Sequence, residues 1–328
     1  MRCLISTSTN PHFNLAAEEY FLKNSNEEFF MLYINEPCIV VGKHQNLLSE
    51  INHKFVIENK ILLARRISGG GTVYQDSNNL NFSFIHNCEN REKINFQKFT
   101  APILEVLTKM GFPAGFSNRN DLIINNKKFS GNAMHIYKNR VLSHGTLLFN
   151  TDISRLSQSL YNRDNRYNDR SIKSVRSEVT NLSNFLPVES EPNITEFTNK
   201  VFERIVNSLT NYTIKKITKE EKELITNLSD QKFKTWDWVY GYSPKYIFTN
   251  QLHIDNLKLS IQLSVDKGII QNILVDSNAN LEQINRELTK ILVNTRHDLE
   301  IIKEKVAENN ILNSHITTTI TEFCMQLF

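Results

Sequence analysis

Short apolar runs dominate the first third of the chain, and helical and alternating patterns follow. The runs at 31–34 and 38–41 read as two strands, because Asn35-Glu36-Pro37 between them is a turn signal. Before them, Asn14 can cap a helix from Leu15 to about Lys23. A short helix over 54–59 and strands over 61–64 and 80–85 come next. Phe99, Ile103, Leu104, Leu107 and Met110 recur at helical spacing, and Gly111 is placed to end that helix. Segments 121–124, 129–137 and 141–149 read as antiparallel strands, with a polar turn at 125–127. The stretch 162–177 is polar, rich in Arg and Lys, and reads as a loop; 196–209 and 218–227 read as helices.

The texture changes after Trp236-Asp237-Trp238. Leu257, Leu259, Ile261, Leu263 and Val265 alternate with polar residues, the pattern of a half-buried strand. Lys267-Gly268 turns into a second strand over 269–275, and helices are expected at 281–292 and 314–326. Two strands and two helices in so short a stretch predict a small α+β domain from 246 to 328, following a large domain from 1 to 245. The chain shows no internal repeat.

Composition narrows the class. With 328 residues, 40% hydrophobic and 22% charged, the chain has the profile of an ordinary globular protein. No apolar run approaches the roughly 20 residues that cross a bilayer, so no membrane partner is expected. Lys+Arg number 38 against 35 Asp+Glu, a balance that does not call for nucleic acid. Cys3, Cys38, Cys88 and Cys324 form no CxxC pair and predict reduced thiols in a cytoplasmic protein. The N-terminus lacks the pattern of a signal or transit peptide.

Three segments could carry chemistry. Arg65-Arg66-Ile67-Ser68-Gly69-Gly70-Gly71-Thr72-Val73-Tyr74 combines two arginines with contiguous glycines. Successive backbone N–H groups in such a loop can form an anion nest, and a guanidinium beside it suits phosphate or carboxylate. The spacing is neither a Walker A loop nor a dinucleotide fingerprint; a flexible hairpin tip is the bland alternative. Asp121-Leu122-Ile123-Ile124 with Lys127-Lys128-Phe129-Ser130-Gly131 is the second segment. Strand alternation lets at most one of the two lysines face a cleft; a solvated pair is the alternative. The third is Ser143-His144-Gly145-Thr146, where His144 is either a hydrogen-bonded core residue or part of a site. Arg163, Arg166, Arg170, Lys173 and Arg176 make the 162–177 loop basic. There is no nucleophile elbow and no zinc-type cluster, and none of these segments contains a cysteine.

Taken in order, these segments closely resemble the lipoate–protein ligase family. Phe13-Asn14-Leu15-Ala16 with Glu18-Glu19, Gly42-Lys43-His44-Gln45-Asn46, Lys173-Ser174-Val175-Arg176-Ser177, Asn181-Leu182 and Trp236-Asp237-Trp238-Val239-Tyr240-Gly241 extend the resemblance nearly end to end. It implies an α/β (α+β) fold: a large mixed-sheet catalytic domain similar to biotin ligases, plus the small accessory domain. It implies that lipoate and ATP form lipoyl-adenylate, which then acylates a lysine of an apo lipoyl domain, in 2-oxoacid dehydrogenases or glycine cleavage H protein. It makes Lys128 the catalytic residue, in contact with lipoyl carbonyl and phosphate. Arg66, Ser68, Gly69, Gly70, Gly71, Thr72, Val73, Tyr74, Asn79, Asp121 and His144 would bind the ligands, with Mg²⁺ riding on ATP and no metal site of the protein's own. Two positions depart from the pattern: Gln75 stands where the family usually has His, and Asn78 where it has Gly. Asn tolerates the left-handed conformation that Gly would adopt, so Gln75 is the position that puts rate or substrate choice in question. An octanoyltransferase of the same fold, working through a cysteine thioester, and a non-catalytic lipoate-binding relative are the alternatives.

Overall fold

The structure is a computed structural model. It describes residues 1–88, 95–118, 121–160, 166–187, 191–254, 257–277, 282–309 and 320–328. In chain order the elements begin β1 (Arg2–Ile5), α1 (Pro11–Asn24), β2 (Phe29–Ile34), β3 (Cys38–Val41), α2 (His53–Glu58) and β4 (Leu62–Arg65). Then come β5 (Val73–Gln75), β6 (Asn79–Asn87), α3 (Phe96–Lys109), β7 (Gly115–Phe116), β8 (Leu122–Ile124), β9 (Lys127–Ser130), β10 (Asn132–Tyr137) and β11 (Arg140–Leu148). They continue with α4 (Ile153–Ser159), β12 (Tyr167–Asp169), α5 (Ile194–Ser208), β13 (Thr213–Ile214) and α6 (Lys219–Leu228). The last are β14 (Tyr246–Ile254), β15 (Leu257–Asp266), β16 (Ile269–Ser277), α7 (Glu282–Leu292), α8 (Leu299–Glu308) and α9 (Ile320–Met325).

The chain forms two compact units that interleave in sequence. The first holds Met1–Lys43, Ile61–Leu160 and Ser174–Thr235; the second holds His44–Lys60, Tyr161–Lys173 and Trp236–Phe328. The expected boundary at 245/246 thus lies later than the observed break before Trp236, and two earlier segments join the second unit. Pairing explains this: β12 forms an antiparallel ladder with β14, a long-range partnership that a change of texture along the chain does not reveal.

In the first unit a six-stranded mixed sheet runs β10-β11-β6-β2-β1-β13. β1 lies parallel to β2 and β13, whereas β6 is antiparallel to β2 and β11. Two small sheets, β4-β3-β5 and β7-β8-β9, complete it. Strand alternation gives the large sheet two faces. Phe30 and Leu32 of β2 and Phe82 and Phe84 of β6 pack with Ile103, Val106 and Leu107 of α3 and with Phe197, Val201 and Ile205 of α5. The other face meets α1, where Phe21 stacks on Phe29 at 4.2 Å. The cap of α1 is Asn10 rather than Asn14: the Asn10 side chain accepts from the Phe13 N–H, and Pro11 fits the first turn, which needs no donor there.

The expected single strand over 129–137 is two strands in two sheets, β9 and β10, broken at Gly131. Asn125 and Asn126, both at positive φ, make the tight turn between β8 and β9. In the second unit β12-β14-β15-β16 form an antiparallel sheet whose core includes Phe248, Ile261, Leu263 and Ile302. The helix expected at 314–326 is seen as α9; residues 310–319 lie outside the described residues. No helix among the described residues is long and apolar enough to cross a membrane.

Candidate active site

The glycine loop joins β4 to β5 in the first unit. Arg66 is 6% exposed and is spent on the loop itself. Its Nη2 donates to the carbonyls of Gly69 at 2.8 Å and Gly71 at 2.7 Å, its Nε to Ser68 Oγ at 3.1 Å, and its Nη1 to Val40 O at 3.1 Å. Burial pulls its pKa down to about 10, against the opposing charge of Glu18, so it stays a cation at neutral pH. Arg65 is equally buried and donates to the carbonyls of Gly42 and Lys43. Through these contacts Arg66, expected from sequence to hold phosphate, braces the loop.

That brace aims the loop's amides. Across a trans peptide, the C=O of one residue and the N–H of the next point in opposite directions. Drawing the carbonyls of Gly69 and Gly71 onto Arg66 therefore turns the amides of Gly70 and Thr72 away from it. The Thr72 N–H donates to Ser174 Oγ at 2.8 Å, a hydroxyl oxygen where an anion's oxygen would fit. Gly70 sits at φ +92°, a conformation that L side chains resist.

The two lysines of the second segment part as alternation requires. Lys127 is outward, paired with Glu178 at 2.6 Å. Lys128 Nζ is 3.0 Å from Asp121 Oδ1, with the two side chains 26% and 20% exposed. A methyl placed on Gly131 would meet Lys128 Nζ at 3.3 Å and Val73 Cγ1 at 3.7 Å. Lys128 of β9, Gly131 just after it and Val73 at the start of β5 thus share one place. Asn120, next to Asp121, lies outside the described residues, as does Arg163.

His144 lies on the α1 face in a buried polar chain. Its Nε2 is 2.6 Å from Ser68 Oγ and its Nδ1 2.8 Å from Glu18 Oε2; the Tyr33 hydroxyl donates to Glu18 Oε1 at 3.0 Å. Arginine can only donate, so Ser68 Oγ accepts from Arg66 Nε. Burial and the Glu18 carboxylate hold the Tyr33 pKa well above its usual value, which keeps that hydroxyl a donor. The chain Tyr33–Glu18–His144–Ser68–Arg66 ties α1 and the central strands to the glycine loop.

Asn79 and Tyr74 sit deeper than loop residues usually do, at 0% and 1% exposure. Asn79 Nδ2 donates to Asn81 Oδ1, while Asn79 Oδ1 and Tyr74 OH have no protein partner. Gln75 points away from the loop into a buried amide chain: Asn35 Nδ2 donates to its Oε1 at 2.7 Å, and Asn14 donates to Asn35. Asn78 does not take a positive φ; its N–H donates to Asp76 Oδ1, which makes a turn that needs no glycine. Tyr33 and the role of Ser174 were not readable from sequence, because both depend on strands meeting across long separations. Glu18 stood in a recognised segment but carried no signal of its partner.

The family model for the lipoyl protein ligase A/B catalytic domain matches residues 10–206. Lipoate–protein ligase 1 of Staphylococcus aureus is 39% identical over 307 residues, 92% of each chain. The lipoate–protein ligase LplJ of Bacillus subtilis is 35% identical over 306 residues, again 92% of each. A crystal structure of lipoate–protein ligase A bound with ATP superposes with a TM-score of 0.62 at 26% identity, covering 74% of this chain and 98% of that one. A P. falciparum protein in complex with lipoate covers 97% of this chain and 96% of its own, with a TM-score of 0.59 at 26% identity. The family model spans more than half of the chain and these relatives match over 92% of it, so the chain belongs to the lipoate–protein ligase family.

Proposed function

We propose that this chain is an ATP-dependent lipoate–protein ligase. In the first step the lipoate carboxylate attacks the α-phosphorus of ATP, forming an acyl–phosphate bond and releasing pyrophosphate. In the second, the amine of an acceptor lysine attacks the lipoyl carbonyl; an amide forms, AMP leaves, and the amine gives up a proton. Carboxylate and phosphate repel, so both steps need a fixed cation between them. The observation that carries the reading is the placement of the Lys128 ammonium beside Gly131 and the exit of the glycine loop, held by Asp121.

The contacts support the following roles. Loop amides turned outward by Arg66 offer donors to phosphate oxygens. Lys128 stabilises the negative charge that grows on the lipoyl carbonyl and phosphate, where even one neutral donor is worth about 3 kcal/mol. Mg²⁺ travels mainly on the ATP phosphates, with the Asp121 carboxylate as a second contact. The acceptors are apo lipoyl domains of 2-oxoacid dehydrogenases and glycine cleavage H protein. The first unit acts as the catalytic part and the second as the accessory part. Four free cysteines and the demand for ATP support a cytoplasmic setting. A cysteine-thioester route finds little support, because burial raises the thiols of Cys3, Cys38 and Cys324 and leaves them poor nucleophiles.

Intact mass spectrometry of an apo lipoyl domain incubated with this protein, lipoate and Mg·ATP tests the reading. Lipoyl addition that needs ATP and is abolished in Lys128→Ala is the expected result. Addition without ATP, or undiminished in Lys128→Ala, would overturn it.

A further inference from the structure

The two chemical steps leave one contact at the glycine loop unused. Residues 174–180 run as a strap from that loop to Lys128. At one end the Ser174 hydroxyl accepts from the Thr72 N–H at 2.8 Å. Gly71 has no side chain to hold it off: a methyl there would meet Ser174 Oγ at 3.1 Å and Ser174 Cβ at 3.5 Å. At the other end the strap lies along β9. The Lys128 N–H donates to the Glu178 carbonyl at 2.8 Å, and the Thr180 N–H donates to the Lys128 carbonyl at 2.9 Å. Lys127 adds its ion pair to Glu178. Between these ends Val175 is 62% exposed, and Ser174 is half-buried. A turn about the Ser174 Cα–Cβ bond takes the hydroxyl off the amide and leaves the bonds at 178–180 intact.

We propose that Ser174 is a specificity-determining placeholder, whose hydroxyl holds the Thr72 amide in the free chain and yields it to an anionic phosphate oxygen but not to a neutral oxygen. The inference rests on the ligase reading and adds how the loop discriminates among ligands. A neutral ligand oxygen makes the same kind of bond to the N–H as the hydroxyl does, so exchanging one for the other gains nothing. A charged oxygen makes a bond about twice as strong, and it displaces the hydroxyl. The loop does not depend on Ser174 for its shape, because Arg66 holds the carbonyls of Gly69 and Gly71 and donates to Ser68 Oγ. Removing the hydroxyl therefore takes away the competitor and leaves the brace. Within a folded chain such a bond is favoured over one to water by a factor of roughly two to ten. A ligand that takes the donor from Ser174 forfeits that factor.

Equilibrium titrations of the native protein, Ser174→Ala and Ser174→Asp with inorganic triphosphate and with adenosine test this. Triphosphate offers charged oxygens and adenosine none. Ser174→Ala is expected to bind triphosphate about threefold to fivefold more tightly, with its affinity for adenosine unchanged. Ser174→Asp keeps a carboxylate tethered at the amide and should bind triphosphate about tenfold more weakly, because like charges repel. A merely structural role for Ser174 would move both ligands together. Equal or weaker binding of triphosphate by Ser174→Ala, a matching gain for adenosine, or native affinity in Ser174→Asp would overturn the placeholder. So would a native protein and a Ser174→Ala protein that both fail to bind triphosphate. Lipoate-dependent exchange of pyrophosphate into ATP by the native protein reports adenylation separately. Absence of exchange would overturn the ligase reading, and with it the assignment of the anion as a nucleotide phosphate.

Discussion

At the scale of single residues, the site is organised by groups that bind one another. Arg66 reads in sequence as a phosphate ligand, and in the structure its donors hold the carbonyls of Gly69 and Gly71. His144 joins Ser68 to Glu18. Removing it in His144→Ala leaves a buried hydroxyl and a buried carboxylate without their partner. The expected loss is about 2–4 kcal/mol of folding stability, read as a lower denaturant midpoint, together with a raised KM for ATP as the loop loosens. A His144→Ala protein with native stability and native KM would show that the chain from Glu18 does not brace the loop. The loop's glycines and the lysine pair were legible in sequence because their types and spacing are local. Which way Arg66 points was not, since that depends on where Val40 and the loop carbonyls meet.

At the scale of elements, the break between β9 and β10 matters most. Read by periodicity, 129–137 is one strand; in the structure Gly131 divides it, so Lys128 belongs to one sheet and Ala133 to another. The corner is crowded. A methyl on Gly145 would sit 2.2 Å from Asn132 Oδ1, 2.7 Å from Phe82 Cζ and 2.9 Å from Gly131 O. Gly145→Ala must therefore push β10 away from β11 or displace Gly131. Overpacking of this kind costs about 1–3 kcal/mol, and the shift at Gly131 carries Lys128 with it. Calorimetry should show a lower Tm, and adenylation should slow more than the stability loss alone explains. The elements found from sequence were the amphipathic and alternating ones, such as α3, α5, β15 and α7. Those missed, among them β1, β12, β14 and α8, lack a clean period or lie in polar stretches, where pairing partners decide the structure.

At the scale of the whole first unit, distant parts of the chain close the sheet. β13 pairs with β1 in parallel, and Arg2 locks the junction. Arg2 donates to both carboxylate oxygens of Glu221 and to the carbonyls of Lys215 and Lys216, with its guanidinium over the rings of Phe21 and Phe29. Hydrogen bonding from Arg2 lowers the Glu221 pKa from 4.5 to about 2. A depressed carboxylate adds stability that is present in full above about pH 4.5 and is lost as pH falls toward 2. The shift corresponds to about 3 kcal/mol. Glu221→Gln should therefore be less stable than the native protein by about that amount at pH 7, and the gap should close between pH 4.5 and 2 in denaturant titrations. A gap that does not vary with pH would show that the pair adds no such stability.

By itself the sequence determined which local segments could bind anions, where the chain turns, and which family it resembles, because glycine freedom, charge type and hydrophobic period are properties of neighbouring residues. Only the tertiary structure decided that Arg66 braces the loop, that Glu18 and Tyr33 reach the loop through His144, that 129–137 is two strands, and that residues 44–60 and 161–173 belong with the second unit. Each of those outcomes depends on long-range pairing and burial. There the energy of satisfying a buried donor or filling a core outweighs local preference, and only the folded chain brings the competing partners together.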